Sequence, residues 1–532
     1  MKRHLLLTAV AAVTLSGAAI VAPSVASASS PQAGTSAASI PCSNIPVTAP
    51  PGATVDSVKA VADAGGTETF SGQTITGVPA SCDVTVVLSH PGAGDHVTVK
   101  VLLPSDPKAW TGRLQAIGGA AYEAGNLDDP GLAEGLKNGY VTTVTDGGVT
   151  QNGLDASWGL NSDGTTNTAL LTDFASRSEH EMTVVAKAVA NTYYSRPVTY
   201  AYWTGCSTGG RQGYTEAQRY PNDYNGILAA APAVDWSRFA IATLWSQAVY
   251  NEEHVAPTSC ETAAFNAAAV KACDGLDGVA DGIIDNPQDC HWDPRSLIGT
   301  KVECNGQELT ITAALADAVA KIWEGPTLPN GRKLWPGPNI GADFGYLASA
   351  GQPFVVAADW AKYFVAKDAN FDATKLTYAG FYRLFGESVR QFNKIIGTDD
   401  PNLSAFRDAG GKLLTWQGQY DQLIPTQNIV DYHNRVAAVI GGTAKVDDFY
   451  RLFLLPGVQH CGGGVGLQPV DPLGVLVNWV EKGKAPATLA TATTTSTGTV
   501  SATRDACAYP RIARYVGYGD ATTASSYRCV NE

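Results

Sequence analysis

No two cysteines stand in a C-x-x-C spacing, so the commonest frame for a zinc site is missing. Basic side chains are scarce: 36 Lys and Arg face 49 Asp and Glu, a formal charge of −13. That balance argues against nucleic acid or anionic lipid as a partner. Beyond the N-terminal stretch no segment reads as transmembrane, and no internal repeat is visible, which excludes a repeat architecture.

What is present begins with an export signal. Lys2 and Arg3 precede an apolar stretch from Leu5 to Val21, and Ala26-Ser27-Ala28 has the small-x-small form of a cleavage site. The mature chain is expected to start near Ser29 and to be secreted. A retained membrane anchor is the weaker alternative, because the flank is rich in Ser, Ala and Pro and no stop-transfer pattern follows. Ten cysteines, an even number, favour disulfides in an exported chain. Sequence proximity pairs Cys42 with Cys82, Cys260 with Cys304, Cys273 with Cys290 and Cys507 with Cys529, and leaves Cys206 and Cys461. Other pairings remain open at this level.

Residues 29–40 read as a flexible linker of small residues. From Val84 to Leu103 the chain alternates as half-buried strands do, and Arg113 to Gly119 and Tyr140 to Asp146 read as further strands. Glu179 to Tyr193 has helical spacing and precedes a strand ending at Tyr200-Ala201-Tyr202-Trp203-Thr204. Such alternation implies parallel βαβ units, hence an α/β class with helices on both faces of a sheet. From about residue 236 to 403 the alternation stops; that segment holds four cysteines, an acidic glycine loop and many aromatics. Strand texture returns at Lys412–Trp416 and Tyr450–Leu455. The expected organisation is a signal over 1–28, a catalytic α/β domain over 41–235 and 404–532, and an inserted lid over 236–403, of a size that can carry its own core. The Thr/Ser-rich run from Thr488 to Thr499 reads as an exposed loop.

Gly205-Cys206-Ser207-Thr208-Gly209 fits G-x-S-x-G, whose small flanks suit a serine on a sharp turn between a strand and a helix. The pattern alone is weak, but a strand precedes it and a helix can follow it. A serine hydroxyl needs a base, and histidine can take and return a proton near neutrality. His460 follows the run Arg451 to Leu455 in a flexible loop, whereas His433 sits in a helical pattern and His291 in the lid. Asp421, just past the strand Lys412 to Trp416, is placed to orient the imidazole. Asp431 is the competing acid, though it sits within a helical pattern. Cys206 precedes Ser207 and Cys461 follows His460. A disulfide between them needs Cα atoms about 5–6 Å apart, so the leftover cysteines and the catalytic pair imply the same contact.

These segments resemble the tannase and feruloyl esterase family of α/β-hydrolases, which includes mono(2-hydroxyethyl) terephthalate hydrolase. The resemblance is carried by Gly205 to Gly213, by Trp416-Gln417-Gly418-Gln419-Tyr420-Asp421 and by His460-Cys461-Gly462-Gly463. It implies an α/β-hydrolase fold with a lid bearing the acid pocket, and a triad of Ser207, Asp421 and His460 bridged by Cys206 and Cys461. The expected reaction is hydrolysis of small-molecule esters of aromatic acids through an acyl-enzyme, without an organic cofactor. For the oxyanion, Thr208 is the expected first backbone donor and Gly118 or Gly119 the second. The loop Cys273 to Asp285 holds four aspartates among three glycines, suited to a hard cation although it is no EF-hand. The resemblance implies structural calcium held by Asp274, Asp277 and Asp281 with the carbonyls of Val279 and Ile283. Two rivals remain at this level: an inactive binding or scaffold protein on the same fold, and a serine peptidase.

Overall fold

The computed structural model describes residues 40–328, 330–495 and 498–531. The expected signal peptide and nearly all of the expected linker lie outside the described residues. Nine strands form one sheet: β1 (Thr54–Asp63), β2 (Ser81–Ser89), β3 (Val97–Pro104), β4 (Arg113–Ile117), β5 (Val141–Thr145), β6 (Tyr200–Cys206), β7 (Gly226–Ala230), β8 (Lys412–Gly418) and β9 (Tyr450–Leu455). They lie in the order β1-β2-β3-β5-β4-β6-β7-β8-β9. The first three pair antiparallel with their neighbours, and from β5 onward every pairing is parallel.

Burial follows from that arrangement. The hairpin strands β2 and β3 alternate, placing Val84, Val86, Val99 and Val101 in the core with polar residues between them. The central strands are covered on both faces, so β5 and β7 are buried at every position. One core joins these strands to the helix Ser178–Tyr194 through Val185, Ala186 and Val189, and to the helix Thr426–Ile440 through Ile429, Tyr432 and Val436.

Between β7 and β8 the chain leaves the sheet and folds as helices and short hairpins, among them Ser259–Cys273, Ala313–Glu324 and Tyr378–Ile396. Its apolar cluster is not closed on itself: Tyr122, Leu171, Phe174 and Ala175, all outside the insertion, belong to it together with Trp236, Trp360, Phe364 and Phe392. The inserted segment therefore shares its core with segments that follow β4 and precede β6.

One expectation fails at the C-terminal side. Thr488–Thr494 is a strand, paired antiparallel with Val500–Cys507, where a loop was expected. Threonine is β-branched and favours the pleated backbone. Leu489 and Ala506 bury one face of the pair, so composition alone misleads there. All five expected disulfides are formed, Cys206–Cys461 among them.

Candidate active site

β6 ends at Cys206 and a helix runs from Thr208 to Arg219. Ser207 joins them with φ 60° and ψ −118°, a conformation that is costly for a residue with a side chain and holds only when its surroundings enforce it. The Ser207 N–H donates to the Ala230 carbonyl at 3.1 Å, and its own carbonyl accepts from Arg211 and Ala233 at 2.9 and 3.1 Å. The flanking glycines are required by space. A Cβ on Gly205 would stand 2.5 Å from the Gly209 carbonyl carbon, and one on Gly209 would meet the Gly119 oxygen at 3.0 Å.

Asp421 lies three residues beyond β8 and is buried. Its Oδ1 accepts from the N–H groups of Leu423 and Ile424 at 2.9 and 2.8 Å. Its Oδ2 accepts from Gln417 Nε2 at 2.8 Å and lies 2.8 Å from His460 Nδ1. The carboxylate is thus fixed by three donors independent of the imidazole. An ionised carboxylate at that distance favours the tautomer with the proton on Nδ1, which leaves Nε2 as an acceptor. His460 is held a second time where its N–H donates to Gln422 Oε1 at 3.1 Å.

The disulfide between Cys206 and Cys461 has an S–S distance of 2.04 Å and brings the two Cα atoms to 5.8 Å. The residues on either side of it, Ser207 and His460, are therefore neighbours in space although far apart in sequence. Ser207 Oγ itself makes no hydrogen bond among the described residues, to His460 or to any other group. Such contacts often tighten only when substrate is bound.

The competing residues fall elsewhere. Asp431 is exposed on the helix Thr426–Ile440 and accepts from Gln427 at 2.8 Å. His433, on the same helix, is buried against Tyr450 and Tyr509. His291 lies exposed in the lid.

At the turn after β4, expected to supply the second oxyanion donor, the backbone N–H groups are unequally engaged. Gly118 N–H donates to the Thr204 carbonyl at 3.0 Å and Gly119 N–H to Gln212 Oε1 at 2.9 Å, so neither is free. The next N–H groups, those of Ala120 and Ala121, have no partner among the described residues. Thr208 stands at the first helical position, where an N–H has no acceptor within the helix. Its hydroxyl donates to the Ala121 carbonyl at 2.7 Å and holds the loop alongside. Sequence reading gave no role to Gln212, Gln417 or Gln422, although the first two stand inside its motifs.

In the acidic loop, Asp274 Oδ1 accepts three N–H groups, from Asp281, Gly282 and Ile283. Asp277 Oδ2 is buried without a hydrogen-bond partner among the described residues, and Arg504 pairs with Asp281 and Asp285. An orphaned carboxylate oxygen in an all-oxygen donor set fits a hard cation, though the three aspartates do not converge as closely as His90, Asp95 and Asp173 do. Arg177 forms ion pairs with Asp95 and Asp173, and both nitrogens of His90 are bonded to carboxylates. That second group is an internal salt-bridge network.

A strained serine turn at the carboxyl end of the parallel strand β6, with an aspartate just past β8 and a histidine in the loop after β9, defines an α/β-hydrolase. The family model for tannase and feruloyl esterase matches residues 82–348 and 339–530. A probable feruloyl esterase of Arthroderma benhamiae is 46% identical over 466 residues, 85% of this chain and 86% of that protein. Feruloyl esterase B of Aspergillus niger is 32% identical over 85% of this chain and 88% of its own length. Among solved structures, feruloyl esterase B from Aspergillus oryzae superposes with a TM-score of 0.77 at 28% identity, covering 91% of this chain and 98% of that one. Tannin acyl hydrolase from Aspergillus niger gives 0.80 at 24% identity, covering 91% and 92%. The chain belongs to the tannase and feruloyl esterase family, and it is a carboxylic ester hydrolase.

Proposed function

We propose that this chain is an exported esterase that hydrolyses esters of phenolic acids, feruloyl esters foremost, through Ser207, His460 and Asp421. The observation that carries this reading is the 2.8 Å bond from Asp421 to His460 Nδ1, on a loop tied by disulfide to the residue preceding Ser207. Ser207 Oγ attacks the ester carbonyl while His460 Nε2 takes its proton. The negative oxygen that forms is met by the Thr208 N–H and by a second N–H from the loop after β4, for which Ala120 is the assignment. Collapse expels the alcohol with the proton that His460 returns. Water, deprotonated by the same imidazole, then releases the acid and restores Ser207. Asp421 stays ionised and holds the imidazolium.

The side chains of Asp274, Asp277 and Asp281, with the carbonyls of Val279 and Ile283, are assigned to calcium, which when bound offsets the mutual repulsion of the carboxylates. The loop adjoins the catalytic acid: Ile284 N–H donates to the Tyr420 hydroxyl at 2.8 Å, and Gln419 Nε2 to the Asp285 carbonyl at 2.7 Å. Its role is support of the Asp421 turn.

The test is product analysis over ferulate, gallate and simple aryl esters, with a peptide amide alongside, for the wild type and Ser207→Ala. Aromatic-ester turnover abolished by the substitution supports the reading. Turnover that survives it, or preference for the amide, contradicts it.

A further inference from the structure

Gln212 lies one turn into the nucleophile helix and is wholly buried. Its amide is used on every side. Nε2 donates to Glu179 Oε1 at 2.6 Å and to the Ala124 carbonyl at 2.8 Å, and Oε1 accepts the Gly119 N–H at 2.9 Å. Two acceptors on one side and one donor on the other fix which way the amide points, because a flipped amide would set N–H against N–H and oxygen against carboxylate.

The segment it grips is the one that follows β4. Gly118 N–H is tied to Thr204, the Gly119 carbonyl accepts Gly209 N–H at 2.9 Å, and Tyr122 N–H donates to Gly153 at 3.0 Å. Ala121 has a φ of 48°, left-handed for a residue with a side chain, which persists only where several contacts over-determine it. Between Gly118 and Tyr122 the N–H groups without a partner among the described residues are those of Ala120 and Ala121.

Glu179 is itself placed by the helix Ser178–Tyr194 and buried beside Arg211, whose guanidinium donates to the carbonyls of Phe174 and Ala175 at 2.8 and 2.9 Å. Burial pushes the Glu179 carboxyl up to about 7, with the Arg211 charge opposing. The chain Arg211, Glu179, Gln212, Gly119 thus runs from the core to the loop without an exposed member other than the half-buried glycine.

We propose that Gln212, oriented by Glu179, is a positioning residue for the oxyanion site: it holds Gly119 so that the next N–H along the loop faces the reacting carbonyl. The proposal rests on the serine-esterase reading above. Its effect falls on the charged tetrahedral state and not on ground-state binding, because the aligned N–H matters most where negative charge develops.

Gln212→Met, close in size and without either polar function, tests it. The expected result is a kcat for an aryl ester lowered at least thirtyfold with KM within threefold. Affinity for an aryl trifluoromethyl ketone, which Ser207 converts to a charged hemiketal, falls in the same proportion, while affinity for the free acid product is unchanged. Gln212→Glu, which keeps an oxygen for the Gly119 N–H, is expected to lie between. Gln212→Asn keeps the polarity but is one methylene short of Gly119, and decides alone if Gln212→Met does not fold. A folded variant with kcat and ketone affinity within twofold of wild type overturns the proposal, as does a loss shared equally by ketone and product. A Ser207→Ala protein that still turns over the ester refutes the underlying reading instead, so the two failures are distinct.

Discussion

Replacing both Cys206 and Cys461 by alanine removes the covalent tie between the serine turn and the histidine loop, and its cost can be worked from the fold. The bond closes a loop of 255 residues, for which the chain-entropy relation gives an upper bound of about 5.5 kcal/mol. With an unfolding entropy of roughly 2 cal/mol/K per residue, a chain of this size should melt about 5 °C lower. The consequence for activity is separate and larger. The loop after β9 contains Gly457, Gly462, Gly463, Gly464 and Gly466, four of them with positive φ. Without the disulfide, His460 itself is held by its bonds to Gln422 and Asp421, worth about 1 kcal/mol and about 1.5–3 kcal/mol respectively. Ordering each residue of this glycine-rich loop costs about 1–2 kcal/mol, so even with the bonds of Gln468 to Gly463 and Gly466 the loop gains conformers when the disulfide is gone. A displacement of the base by about 1 Å is worth up to a hundredfold in rate. The assay is kcat at a temperature well below either melting point, beside the melting curves. An alanine pair with kcat within twofold of wild type would refute the idea that the bond positions the base. A melting point unchanged to within a degree would refute the entropic estimate.

Three further outcomes are expected. His433 is buried, neither ring nitrogen has a hydrogen-bond partner among the described residues, and burial lowers its pKa to about 4. Its contribution is intact above pH 6.5 and is lost as pH falls toward 4, by roughly 3 kcal/mol at about 1.36 kcal/mol per unit. His433→Phe should therefore gain that much on the wild type between pH 7 and pH 4 in denaturant titrations, and an equal gap at both pH values would exclude it. Asp421→Asn keeps the packing but turns the imidazole to the wrong tautomer, so kcat should drop by about three to four orders of magnitude with little change in KM; a loss under tenfold in steady-state kinetics would point to another acid. Stripping divalent cations with a chelator should lower the melting point, and added calcium should restore it in the wild type but not in Asp277→Asn. Identical curves with and without chelator would remove the cation from the account.

The parts of this molecule that chemistry constrains are the parts its sequence shows. Ser207 is betrayed by glycines that its turn cannot replace, and His460 and Asp421 by their places just after apolar strands. The cysteines beside Ser207 and His460 tie two distant segments together before any fold is known. What stayed hidden depends on tertiary partners. The edge strand Thr54–Asp63 buries no residue fully, and so shows little of the alternation that marks β2 and β3. The threonine-rich Thr488–Thr494 reads as a loop by composition, whereas its pairing with Val500–Cys507 and Gln468–Pro469 makes it a strand. That the Gly119 N–H is engaged depends on Gln212, a side chain 93 residues away. The lid's core likewise needs Tyr122 and Phe174, which no pattern within residues 236–403 reveals.

The central claim is that Ser207 becomes acylated. Mixing the enzyme with a feruloyl ester, quenching in acid within the first turnover and analysing the digested peptides by mass should show one feruloyl group on Ser207. No adduct with Ser207→Ala is expected. A feruloyl group on a different residue, or turnover undiminished in that variant, would contradict the account.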